Sequence, residues 1–168
     1  MMQTTQRIAV TLIAAGLSGC RLLPVRREDL SKLPAVGNAV EATWTATTWE
    51  SASTPKHRKI LESGRLKTIV GEVVDVSCFL QLGKRGEAHI PCGQKCARNG
   101  QPIGVLTDQG RLYLVVPEEH HARRDGQVNL KERFAELMGK RVQVSGMVTN
   151  YLEYRAIFVR SLPEEPAK

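Results

Sequence analysis

A mainly β protein, a small five-stranded barrel with one or two helices, is the fold class this sequence predicts. Three observations carry that reading. After Gly64 the chain breaks into short runs rich in Val and Ile that are separated by turn residues. One of these runs, Arg141 to Thr149, alternates apolar and polar residues with the two-residue period of a half-buried strand. A single helical pattern, Leu130 to Met138, interrupts the strands. The 168 residues, 42% of them hydrophobic, suit one domain of ordinary size. That apolar fraction excludes a wholly disordered chain. No apolar run reaches the roughly 18 residues of a membrane span, and collagen-like, coiled-coil and polytopic membrane classes are excluded with it.

Residues 1–19 read as an export signal. Met1 to Arg7 carries one positive charge, Ile8 to Leu17 is a short apolar run, and small residues follow it. The run is too short to cross the hydrocarbon core as a mature helix. Its ending, Leu17-Ser18-Gly19-Cys20, resembles the lipobox of bacterial lipoproteins. The resemblance implies cleavage before Cys20, acylation of its sulfur and a mature chain held on a membrane. Two acyl chains suffice for stable anchoring where one is marginal. Arg21 stands where many lipoproteins retained at the inner membrane carry Asp, so the periplasmic face of the outer membrane is the expected location in a Gram-negative host.

From Cys20 to Gly64 the chain is polar and irregular, with a mixed charge cluster at Arg26-Arg27-Glu28-Asp29 and an Ala/Thr/Ser stretch that holds Trp44 and Trp49. The expectation is a flexible tether over 20–64, with one short strand near Val40 to Trp44. The basic residues Arg21, Arg26 and Arg27 could meet anionic headgroups.

The domain is expected over 65–162, with 163–168 as a tail. Leu66 to Val76 spaces Val70, Val74 and Val76 by even steps and forms the first strand. Ile103–Thr107 and Arg111–Val116 are the second and third, joined by the hairpin signal Asp108-Gln109-Gly110. Asn129 caps a helix with Glu132 as its capping partner. Leu130, Phe134, Leu137 and Met138 share one face of that helix, and Gly139 stops it. Arg141–Thr149 and Arg155–Leu162 complete the set. Five short strands with one helix between the third and fourth is the arrangement of the OB-fold.

An OB-type barrel does not require the long segment between its first two strands, Cys78 to Gly100. A helix from about Pro91 to Arg98 puts Cys92 and Cys96 one turn apart on one face, with His89 just before it. Cys78 can reach that face through the loop containing Gly83 and Gly86. Gly71-Glu-Val-Val-Asp75, Cys78-Phe79, His89, Cys92, Cys96 and Gly100-Gln-Pro102-Ile-Gly104 together resemble a group of exported bacterial proteins of OB-fold-like type. That group shares a Gly-x-Val-x-Asp strand, a Cys-aromatic pair and a His-x-x-Cys-x-x-x-Cys segment. The resemblance covers about 35 residues. It implies that the segment matters to fold or activity and brings no reaction with it.

Cys78, His89, Cys92 and Cys96 are therefore the candidate metal ligands. Three soft thiolates and an imidazole suit zinc or copper(I). Because exported thiols usually oxidise, a disulfide between Cys78 and Cys92 or Cys96 is the alternative, with a redox-active pair as a third reading. Attachment of c-type haem is disfavoured, since Ala97 stands where a His would follow the second Cys. His120 and His121 read as a solvated loop, and Asp75 as a strand-end carboxylate that caps a turn. No Ser-His-Asp order, phosphate-binding Gly loop or paired-carboxylate motif is present, so the sequence carries no positive signal for catalysis.

Two functional classes follow. One is a lipid-anchored envelope module that binds a soft metal ion, and the other is a structural or interaction domain whose cysteines only cross-link. The formal charge of +7, which becomes about +6 once Arg7 leaves with the signal, is expected to meet anionic lipid, glycan or an envelope protein. Nucleic acid is not expected, because Phe134 and Phe158 read as core residues and not as stacking platforms.

Overall fold

The computed structural model describes residues 29–38, 42–119 and 128–162. In chain order a 3-10 turn (Leu30–Lys32) leads to β1 (Ala35–Val36), α1 (Ala46–Ser51), α2 (Pro55–Glu62) and β2 (Arg65–Asp75). Next come α3 (Val76–Leu82), a second 3-10 turn (Glu87–His89), α4 (Ile90–Arg98), β3 (Ile103–Leu106) and β4 (Leu112–Pro117). The last elements are α5 (Leu130–Glu136), β5 (Arg141–Tyr151) and β6 (Tyr154–Val159). The expected signal segment, Cys20, Val40, the His120–His121 pair and the tail lie outside the described residues.

β2 is the organising strand. Its first part pairs antiparallel with β5, from Arg65 opposite Val148 to Glu72 opposite Arg141, and its last part pairs with β3, ending at Asp75 opposite Ile103. β3 pairs with β4, β4 runs parallel to β6, and β6 returns antiparallel to β5. These pairings close a five-stranded mixed barrel in the OB-like order, and β1 lies outside it, parallel to β5. β5 exchanges β2 for β6 as its partner near Gly146. A Cβ there would sit 2.2 Å from the Phe158 carbonyl oxygen, so only glycine admits the approach.

The alternation read in β5 holds, with Val142, Val144 and Val148 buried, whereas β2 contributes Ile69 and Val73 to the core and Val70 is only half-buried, the parity opposite to the Val70/Val74/Val76 series. Val73, Val105, Val142, Val144, Ile157 and Val159 are buried, and α5 adds Phe134 to the same core, with Met138 just beyond its end. Asn129 caps α5 through the Lys131 N–H, as expected. Glu132 is not its reciprocal partner, because the Glu132 carboxylate is held by the Arg98 guanidinium of α4 at 2.8–3.0 Å. The described residues carry five short helices, more than the one or two expected, and the barrel class is unchanged by them.

Within the segment expected as a tether over 20–64, several described residues pack against the barrel, although most of the segment is exposed. Val36 is fully buried. Trp44 donates from its indole to the Leu61 carbonyl at 2.8 Å and meets the Phe158 ring edge-on, with centroids 5.2 Å apart. The Thr45 N–H donates to Glu118 Oε1 at 2.8 Å, and Glu118, itself buried, pairs with Arg160 at 2.8 Å. The expected strand near Val40 to Trp44 is replaced by β1 further back, and Ala42–Trp44 is irregular. The physical reason is local. Thr45 caps α1, while Thr54 caps α2 with Pro55 in the first turn, so a stretch of Ala, Thr and Ser becomes two short helices.

Candidate metal centre

The segment between β2 and β3 is built from caps and glycines. β2 ends at Asp75, whose Oδ1 accepts the backbone N–H groups of Ser77 at 2.9 Å and Cys78 at 3.3 Å. That cap starts α3 immediately, so Cys78 sits in a helical first turn and not at the end of the first strand, where the sequence placed it. Gly83, in the left-handed conformation, ends the helix. The following loop is fastened to β2, because Glu72 accepts from the Gly86 N–H at 2.6 Å and from Arg85 at 2.9 Å. The second 3-10 turn then delivers His89, and α4 begins with Pro91 in its first turn. α4 lies close on the stretch just after α5 through Gly93, where a Cβ would come 2.8 Å from Met138 Cγ.

These elements bring the predicted residues together. Cys78 Sγ, a ring nitrogen of His89 and Cys92 Sγ all lie within 4.8 Å of one another. A second group, Asp75, Cys78 and Cys96, meets the same limit and shares Cys78 with the first. Cys96 is thus placed beside Asp75 and not inside the His89–Cys92 triad, which divides the expected four-ligand set into two overlapping groups. The expected disulfide is not made: Cys78, Cys92 and Cys96 are three free thiols. Access is graded across the cluster, with Cys92 exposed, Cys78 and Cys96 half-buried, and His89 and Asp75 buried.

Among the described residues, two buried side-chain polar atoms lack a hydrogen-bond partner, Asp75 Oδ2 and His89 Nε2. Both belong to this cluster. Buried polar atoms are normally satisfied, so two orphans at one place mark a site suited to a further ligand.

The electrostatics of the cluster centre on Asp75. Burial alone would raise its carboxyl, but the facing Cys78 and Cys96 thiols and the Cys78 and Ser77 backbone N–H groups outweigh it and hold the pKa below the usual carboxylate value. The thiols move the other way. The Asp75 carboxylate, as hydrogen-bond acceptor, raises Cys78 and pushes Cys96 up to about 12, with burial and neighbouring negative charge adding to the effect. At neutral pH both thiols are therefore protonated. Thiolate chemistry at this site requires something positive to replace those protons.

The class that fold and site define is a small five-stranded mixed β-barrel with a Cys/His cluster in the insertion between its first two barrel strands. No protein-family profile, no curated protein and no solved structure matches the chain. Phe134 is buried inside the barrel, and Phe158 is half-buried beneath Trp44. Among the described residues no helix is long and apolar enough to cross a membrane.

Proposed function

We propose that the chain is a cell-envelope binding module whose barrel presents a soft-metal site, taking zinc or copper(I) on Cys78, His89 and Cys92, with Cys96 as the fourth ligand. The observation that carries this is that two thiols and a His89 ring nitrogen lie within 4.8 Å of one another, while His89 Nε2 is buried and unpartnered. Around a zinc ion bound at about 2.3 Å to sulfur, tetrahedral ligands stand about 3.8 Å apart, so drawing Cys78, His89 and Cys92 together takes about 1 Å or less per pair, while Cys96 has to swing in from beside Asp75. Beside the Asp75 carboxylate the thiols keep their protons until a metal takes their place, which makes loading pH-dependent. Exposed Cys92 is the entry point.

The lipobox-like ending at Cys20 supports placement on a membrane surface, with the domain on the periplasmic side of an outer membrane. The test is metal and thiol analysis of full chain purified without reductant from the export compartment. The expected result is about one zinc or copper ion per chain, lost in Cys92→Ser and His89→Ala. Metal below about a tenth of an equivalent, with an intramolecular disulfide in its place, would establish the cross-linking alternative.

A further inference from the structure

The hairpin joining β5 to β6 has side chains that the fold itself does not use. Its turn is Leu152–Glu153. Leu152 has a backbone φ of +54°, in the left-handed region where a hairpin normally places Gly, Asn or Asp, and its side chain is 80% exposed. A leucine here strains the backbone and buries nothing. Tyr151 and Tyr154 face each other across the ladder directly beneath it, 38% and 69% exposed. Beside them lies α2, whose Lys56, His57, Arg58 and Lys59 are all exposed, with Lys56 Nζ 5.1 Å from the Tyr151 ring centroid. Glu153 is the single acid in the sequence from Asn150 to Arg155. Because Arg65 at the start of β2 pairs near this hairpin and Asp75 ends the same strand at the Cys/His cluster, the tip and the cluster lie toward opposite ends of β2.

We propose that this end of the barrel docks on an anionic phospholipid bilayer. Leu152 enters the headgroup–acyl boundary, Tyr151 and Tyr154 sit at the headgroup level where amphipathic rings are favoured, and Lys56 and Lys59 meet lipid phosphates. The basic flank favours a lipid surface over an apolar protein groove, since several exposed cations around a small apolar tip suit a field of negative headgroups. The inference rests neither on the metal site nor on acylation of Cys20. In this orientation the Cys/His cluster is held on the side of the barrel away from the membrane.

The strained turn supplies a discriminating variant. Full chain carrying Cys20→Ser in every arm, so that no acyl anchor contributes, is sedimented with vesicles of phosphatidylcholine containing about a third phosphatidylglycerol, and with phosphatidylcholine alone. The parent is expected to bind the anionic vesicles preferentially. Leu152→Gly should lower that partitioning by roughly tenfold while leaving Tm equal or higher, because glycine accepts the positive φ without strain. Lys56→Glu with Lys59→Glu should weaken binding and remove most of its salt dependence. Leu152→Gly binding as tightly as the parent, equal binding to both vesicle types, or a fall in Tm that accounts for the loss would each overturn the proposal.

Discussion

Asp75 caps the helix that carries Cys78, accepting its N–H at 3.3 Å, and the same carboxylate holds the Cys78 and Cys96 thiols protonated. One residue at the end of β2 therefore sets both the position and the protonation of the cluster. Asp75→Asn separates the two roles. Asn is an equally good cap, so α3 should persist, whereas loss of the negative charge should bring Cys96 down from about 12. In metal-free protein this predicts faster alkylation of Cys96 at pH 8–9 in the variant, read by mass spectrometry against time. Equal rates would show that the carboxylate does not control the thiol.

Glu118 is the second buried carboxylate with a structural task. It accepts from the Thr45 N–H and pairs with Arg160, tying the segment ahead of β2 to the end of the barrel. Arg160→Ala leaves that charge buried with one partner fewer. The expected loss is about 2 kcal/mol in urea unfolding, below the range for a fully buried pair because Arg160 is itself partly exposed. Glu118→Gln, which keeps hydrogen-bonding atoms and removes the charge, should cost less.

Trp44 tests whether the residues before β2 belong to the folded unit. Its ring packs edge-on against Phe158 and its indole N–H is bonded to Leu61. Trp44→Ala should destabilise the protein by about 3 kcal/mol, visible as a lowered denaturation midpoint with the slope little changed. A neutral substitution would return this stretch to the role of a tether.

Gly146 tests barrel closure. A methyl there would lie 2.2 Å from a backbone oxygen of β6, which has no freedom to turn aside. Gly146→Ala should cost about 3 kcal/mol, at the upper end of overpacking, and hydrogen exchange should quicken first along the β5–β6 ladder.

The barrel was legible in the sequence because its signals are periodic. Val142, Val144 and Val148 alternate with polar residues, and Leu130, Phe134, Leu137 and Met138 repeat at helical spacing, so inward faces could be assigned without knowing the partners. α3 was missed because Val76 continues the apolar run of β2. The readable signals were its ends, Asp75 as a cap and Gly83 as a left-handed stop. α1 and α2 were missed for a similar reason, since Thr45 and the Thr54–Pro55 pair mark their starts within a composition typical of linkers. Gathering Cys78, His89 and Cys92 followed from the glycines and the helical spacing. Placing Cys96 beside Asp75 did not, because it depends on how α4 settles against the end of β2, which no local pattern records.

The central claim, that Cys78, His89 and Cys92 hold a soft metal with Cys96 as the fourth ligand, is tested most directly by cobalt(II) titration of the reduced full chain. Sulfur-to-cobalt charge-transfer absorption should appear with intense tetrahedral d–d bands and saturate at about one ion per chain. It should be lost in Cys78→Ser, and its appearance should release protons from the thiols that Asp75 holds protonated. Weak octahedral cobalt bands without charge transfer, or a spectrum unchanged by Cys78→Ser, would contradict the account.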